Sequence, residues 1–284
     1  MSGGIFVVLA RGTVDAAVPY AFAALGGLVS ERSGLANVAL EASLLAGAFA
    51  ASAAVVAGGG LASAVLAAAL TGVLVGLAHG LFAVVGRASS IVVGMALNLA
   101  VLGLTKGTLR VVYGSSANGP SFALRLDHAA ALVGTLLVAS FVAYALERTT
   151  AGTRLRAVGE SRALAASVGF HPGLVQGLAL VCGHALAAVG GAALCLSSGQ
   201  FQSQMSAGRG FLALALVILG RWEVVPTMVG VLALAALEAS EVFVQELLGL
   251  PSEVVLALPF VVILPVLALG AGRMKGARIP RFEP

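Results

Sequence analysis

Residues 147–172 read ERTTAGTRLRAVGESRALAASVGFHP, with Arg148, Arg154, Arg156 and Arg162 set beside Glu147 and Glu160. Long apolar runs almost free of charge flank this stretch on both sides. A charge at mid-bilayer costs at least ~3 kcal/mol on insertion scales, so the polar island belongs in water. Its arginines assign it to the cytoplasmic side by the positive-inside bias. Working outward, the chain has 284 residues, 60% apolar and 10% charged, where soluble domains average about 25% charged. The expectation is an all-α, polytopic membrane helix bundle forming one domain over 1–284. At ~20 apolar residues per crossing it would hold about 8–10 transmembrane helices, with a broken or half helix in each half. The net charge of +4 is no sign of nucleic acid, because it gathers in the central loop and the tail 272–284 (Arg273, Lys275, Arg278 and Arg281). Loop and tail are both expected in the cytoplasm.

In chain order, the start MSGGIFVVLARG lacks a basic n-region and a cleavage pattern, so no signal peptide is expected. A first span covers 13–29, with Asp15 and Pro19 inside it. Residues 30–42, SERSGLANVALEA, are too polar for a plain span yet lead into an apolar run. Asn37 and Glu41 are four apart, which on a helix gives them one face. A third span over 61–85 carries Gly72, Gly76 and Gly80, a stripe that lets a second backbone approach closely. His79 beside it reads as a satisfied buried histidine. The fourth span contains Asn98 and is expected to stop near Thr105, before Lys106 and Arg110, with a mixed loop over 106–128. The fifth span is 129–146.

Beyond the central loop, 173–196, 224–248 and 254–269 read as spans. If loop and tail share a side, the crossings between them are even in number. The fourth must then include 203–220, whose apolar part, FLALALVILG, makes a helix of only ~15 Å against a ~30 Å core. That predicts a broken crossing with irregular backbone over 197–210 lining a cavity.

Several chemistries are excluded. The only lysines are Lys106 and Lys275, neither after Gly, so no Walker A phosphate loop exists. No H-E-x-x-H or G-x-S-x-G occurs, and His79, His128, His171 and His184 lack metal-ligand spacing. Cys182 and Cys195 form no C-x-x-C. Catalytic, metal and cofactor sites are therefore not expected. Polar residues inside spans are costly and default to inward-facing roles. For Asn37 and Glu41 two readings stand: part of a solute path, or capping and cross-bonding of a broken helix. Glu238 and Glu241 favour a helix–helix or subunit contact. In the central loop, Glu160 and Ser161 open a short helical stretch whose Leu164, Ala165 and Val168 give a small apolar face. A helix of this kind suits docking into a partner's groove; a merely solvated loop is the plainer reading.

Three motifs carry a resemblance. Ser30-Glu31-Arg32-Ser33-Gly34 with Asn37 and Glu41, then GTRLRAVGE at 152–160, then AGRGFLALALVILGRW at 207–222 resemble, in order, signatures of the ribose/branched-chain amino-acid permease superfamily of ABC importers, in its nucleoside-type branch. The chain departs at Ala42, where the family has Gly, and at Ser43 and His184. The resemblance implies an import subunit in the bacterial inner membrane. It implies a separate cytoplasmic ATPase that binds ATP and magnesium, a second homologous permease subunit, and an extracytoplasmic solute-binding protein. It further implies that 152–169 is the coupling element, with Arg154, Arg156, Gly159, Glu160 and Leu164 facing the ATPase. The broken helix at 33–41 would border the translocation path. For a nucleoside, polar partners for the ribose and an aromatic wall for the base are expected from Asn37, Asn98, Phe201 and Phe211. A simple sugar or branched-chain amino acid is the alternative solute, and an integral membrane protein without a transport role is the remote alternative.

Overall fold

A computed structural model of the chain describes residues 2–248, 254–255 and 257–271. The described residues are helical throughout, apart from turns and one isolated antiparallel bridge between Asn118 and Gln202. In order the helices are α1 (Ser2–Glu31), α2 (Leu40–Val56), α3 (Leu61–Gly80), α4 (Ser90–Tyr113) and α5 (His128–Arg148). Two short helices follow, α6 (Thr150–Glu160) and α7 (Arg162–Ser167). Then come α8 (Pro172–Ser198), α9 (Arg209–Leu219), α10 (Val224–Leu248) and α11 (Leu258–Ala271). The last turn of the third span, Leu81–Val85, widens to a π-helix.

Six helices are long and apolar enough to cross a bilayer, and α2 and α9 are shorter apolar pieces. The spans differ in depth within the bundle. In α1 and α8 the apolar windows are 67% and 61% buried, against 22–28% for α3, α4, α5 and α10. So α1 and α8 form the inside of the bundle, and the others turn leucine-rich faces such as Leu66, Leu70 and Leu74 outward. The reason is composition. α8 is built on small residues, and α1, α2 and α3 all pack on it at backbone distance. A Cβ at Gly26 of α1 would strike the Gly183 carbonyl, one at Gly47 of α2 would lie 2.6 Å from Ala188 Cα, and one at Gly76 of α3 would lie 2.6 Å from Val181 Cα. Close backbone approach of this sort supplies the packing that hydrophobicity cannot supply between helices in lipid. The glycine stripe of α3 thus serves at Gly72 and Gly76, while Gly80 keeps room, 3.8 Å from Gly177 Cα.

Three expectations need correction. The fourth span does not stop at Thr105: α4 runs on to Tyr113. Leu109 is fully buried in those last turns while Arg110 points outward, so the charges sit on the exposed side of a helix end, where long side chains reach the interface. Asn37 and Glu41 do not share a helical face, because Gly34, at φ +85°, belongs to a turn that ends α1, and α2 begins only at Leu40. The central loop holds two helices rather than one. Thr149 caps α6 by accepting from Gly152 N, and Ser161 caps α7 by accepting from Leu164 N, each at 3.2 Å. In α7 only Ala165 faces inward; Leu164 and Val168 are exposed. The basic tail 272–284 lies outside the described residues.

The short apolar helix expected within 203–220 is present as α9, below the length of a full span. After α8, residues 199–208 are non-helical and pair with the α4–α5 connection: Gly119 N donates to Phe201 O at 2.8 Å and Ser203 N to Ala117 O at 2.7 Å. α9 then runs from mid-bundle back to the face that carries α6, where Trp222 meets Glu31 and Arg32.

Candidate functional site

The half helix α9 is held at both ends by the one stretch 31–41. At its start, Glu41 places one carboxylate oxygen 2.9 Å from Gly208 N and the other 2.8 Å from Gly210 N. The first amides of a helix have no partner in the helix itself and carry partial positive charge. A carboxylate there answers both needs, and hydrogen bonds to a charged group contribute about 1.5–3 kcal/mol each. The glycines have separate reasons. Gly208 adopts φ +82°, and a Cβ at Gly210 would press into the Glu41 backbone.

At the other end, α9 stops at Leu219 and the chain turns through Arg221 and Trp222, at φ +57° and +56°. Such left-handed non-glycine residues persist only where surroundings over-determine them. Here the Trp222 indole donates to Glu31 Oε2 at 2.8 Å, and Arg32 Nε donates to Trp222 O at 2.6 Å. Against the same place packs α6. A Cβ at Gly159 would run into the Arg32 carbonyl and lie 3.2 Å from Gly34 N. Arg156 Nη1 donates to Leu146 O at 2.8 Å, which ties α6 to the end of α5. The three sequence motifs are therefore parts of one junction. Beside it a cavity of about 430 Å³ is lined by Arg32, Glu147, Arg156, Glu160, Arg221 and Glu223, among others.

The residues singled out in the sequence fall into distinct places. Asn37 is fully buried, its Nδ2 donating to Ser30 Oγ at 3.0 Å and its Oδ1 accepting from Ala39 N at 3.2 Å. Asn98 of α4 accepts from Ala42 N at 2.8 Å and donates to Val38 O at 3.0 Å. Asn37, Asn98 and Glu41 thus all cross-bond the break between α1 and α2 or cap α9. Phe201 is buried edge-on against Phe49, with ring centroids 5.2 Å apart, whereas Phe211 is exposed on α9. The two phenylalanines do not form one wall. In α6, Arg154 and Glu160 are exposed, Arg156 half-buried and Gly159 buried, and the Arg154 guanidinium lies 5.6 Å from the Phe170 ring centroid.

Two features escaped the sequence reading. Arg209 pairs with Glu238 of α10, so the expected helix–helix contact of Glu238 is an ion pair inside the bundle. The second is a buried chain. Ser43 Oγ lies 2.6 Å from His184 Nδ1, His184 Nε2 lies 2.9 Å from His79 Nδ1, and His79 Nε2 lies 2.9 Å from Ser90 Oγ, which donates to Ala36 O at 2.8 Å. The Ser90 bond to a carbonyl fixes the direction: each histidine carries its proton on Nε2, and every member is satisfied. This chain ties α2, α8, α3 and α4 together, and it accounts for His184 in a stretch of small residues. Only the spacing of His79 with Ser90 across one turn could have hinted at it.

A family profile described as "Branched-chain amino acid transport system / permease component" matches residues 10–267. The chain belongs to this permease family. It is a multi-pass membrane transport subunit. Among curated proteins, it is 31% identical over 142 residues to the nucleoside ABC transporter permease protein NupC of Lactococcus lactis subsp. cremoris, covering 49% of this chain and 45% of that protein. It is 32% identical over 98 residues to the uncharacterized protein MG121 of Mycoplasma genitalium, covering 34% of this chain and 32% of that one. The matched stretches thus span less than half of either relative. No solved structure matches the chain.

Proposed function

We propose that this permease is the translocating subunit of an ATP-driven nucleoside importer in the bacterial plasma membrane. The observation that carries the reading is the contact of Gly159 with the Arg32 turn, because it joins an exposed amphipathic element directly to the broken crossing. In this reading α6 and α7 are the cytoplasmic coupling element. Arg154, Glu160 and Leu164 meet a separate ATPase, which supplies ATP, magnesium and the hydrolysis step. Closure of the ATPase pushes on α6, Gly159 transmits the push to Arg32 and Trp222, and α9 moves with them. Rigid-body motion of this kind alternates access to the midplane. The stretch 37–41, with Asn98, Phe201 and Phe211, borders the solute path. A second homologous permease, as a heterodimer, covers part of the outward leucine faces, and lipid covers the rest. A solute-binding protein delivers the cargo from outside, and the tail shares the cytoplasm with the coupling element. The nucleoside assignment draws support from the likeness to the Lactococcus permease.

Reconstitution of the complex tests this. Uridine or guanosine delivered by its binding protein is expected to stimulate ATP hydrolysis and to be taken up. Competition among guanosine, uridine, ribose and leucine separates the nucleoside from a sugar or a branched-chain amino acid. Arg156→Ala with Glu160→Ala is expected to leave the bundle folded while hydrolysis no longer drives uptake. Unchanged transport in that variant refutes the coupling role.

A further inference from the structure

Opposite the α6 face, a cavity of about 380 Å³ opens between α1, the end of α8, the start of α9 and α10. Its lining includes Gly12, Asp15, Ser197, Arg209, Glu238 and Ala239. That size falls within the roughly 300–1,000 Å³ of small-molecule sites. The Arg209–Glu238 pair sits in it. One guanidinium nitrogen, Nη2, bonds Glu238 Oε1, and a second, Nη1, donates to Met205 O at 3.0 Å. The third, Nε, is buried and has no hydrogen-bond partner. Glu238 uses one oxygen on arginine and its carboxylate also accepts from the Tyr20 hydroxyl, whose ring lies 5.9 Å from the guanidinium. Asp15 holds His128 at 2.7 Å at the side of the cavity.

Two carboxylates and one arginine face this space, so a phosphorylated solute meets excess negative charge. A neutral solute with adjacent hydroxyls meets a fitting set. Each hydroxyl donates once and accepts twice. A carboxylate can take the protons of a ribose diol, the interaction by which acidic residues hold ribose in dinucleotide sites. Arg209 lines the same space and fixes the Glu238 carboxylate through their ion pair. We propose that this cavity is a solute-contacting subsite for the cis-diol of a neutral ribose-bearing solute, with Glu238, held in place by Arg209, reading the hydroxyls. The proposal deepens the nucleoside reading and rests on it for the base. It also explains an ion pair in a lipid-embedded bundle, where charges are retained chiefly for function.

The test is protection from a membrane-impermeant thiol reagent in the assembled complex. Ser197→Cys supplies the target, with Cys182 and Cys195 replaced by Ala; Ala239→Cys serves if the first variant fails to assemble. At ~10 times its dissociation constant, uridine is expected to slow labelling about tenfold by mass action. At equal concentration, 2′-deoxyuridine and uridine monophosphate are expected to give little protection. Glu238→Gln is expected to remove most of the uridine protection. No protection by uridine while uptake persists overturns the subsite, and equal protection by the deoxynucleoside overturns the diol assignment. If the complex takes up no nucleoside yet ribose protects, the subsite stands and the nucleoside reading falls. If the complex takes up no nucleoside and neither nucleoside nor ribose protects, both fall.

Discussion

Trp222 donates its indole N–H to the Glu31 carboxylate at 2.8 Å, across 191 residues of chain and inside the bundle. Glu31 ends α1 and Trp222 follows α9, so this bond fixes the foot of the short crossing to the foot of the innermost helix. Trp222→Phe keeps the ring but leaves a buried carboxylate oxygen without its donor, a loss of about 1–3 kcal/mol. The thermal midpoint of the purified protein is expected to fall. An unchanged midpoint means the bond contributes nothing.

Glu41 bears on the other end of α9. Glu41→Ala strips both acceptors from Gly208 N and Gly210 N, at about 1–3 kcal/mol for each orphaned amide. Glu41→Gln retains one oxygen and is expected to cost less. Thermal denaturation of the two variants should rank them in that order; equal losses would show that the negative charge, rather than the pair of bonds, matters.

Gly159 can be probed without disturbing the bundle. Gly159→Ala drives a methyl into the Arg32 carbonyl, displacing α6 from the turn. The spans should still assemble, with some stability lost where Leu155 and Val158 are displaced, so hydrolysis is read per folded complex. Solute-stimulated hydrolysis is expected to fall at least about tenfold, equivalent to about 1.4 kcal/mol. Full stimulation in this variant contradicts transmission through the Arg32 turn.

The histidine chain predicts non-additivity. His79→Ala and His184→Ala each orphan buried partners, at about 1–3 kcal/mol apiece. Because each removes the partner of the other, the double variant should be less damaged than the sum, with a coupling of about 0.5–3 kcal/mol. Additive losses would show that the two rings act independently.

The glycine stripe separates by position. Gly76→Leu forces α3 away from Val181 of α8, and assembly is expected to fail or weaken sharply. Gly80→Ala makes only an ordinary contact with Gly177 and should be neutral or slightly stabilising, since alanine exceeds glycine in helix propensity by about 1 kcal/mol. Expression and melting of both variants check the contrast.

Much of this was readable in the residues. The charged island at 147–172, the short apolar helix within 203–220 and the buried His79 all follow from the cost of polarity in hydrocarbon, a force strong enough to show in one dimension. What escaped was set by contacts far apart in sequence. The four-residue spacing of Asn37 and Glu41 suggests one helical face, and spacing alone cannot show that Gly34 turns the chain. Nothing in the sequence marks Arg209 as paired, since its partner Glu238 lies on another helix. α6 buries Gly152, Leu155, Val158 and Gly159, and because two of these are glycines the face does not read as apolar in the sequence.

Because α9 is fastened at top and bottom to a single neighbouring stretch, the two segments behave as lock and key within one polypeptide. Chimeras between related permeases therefore need residues 30–42 and 199–223 exchanged as a set. Swapping either alone would pair a hinge with a stranger's door.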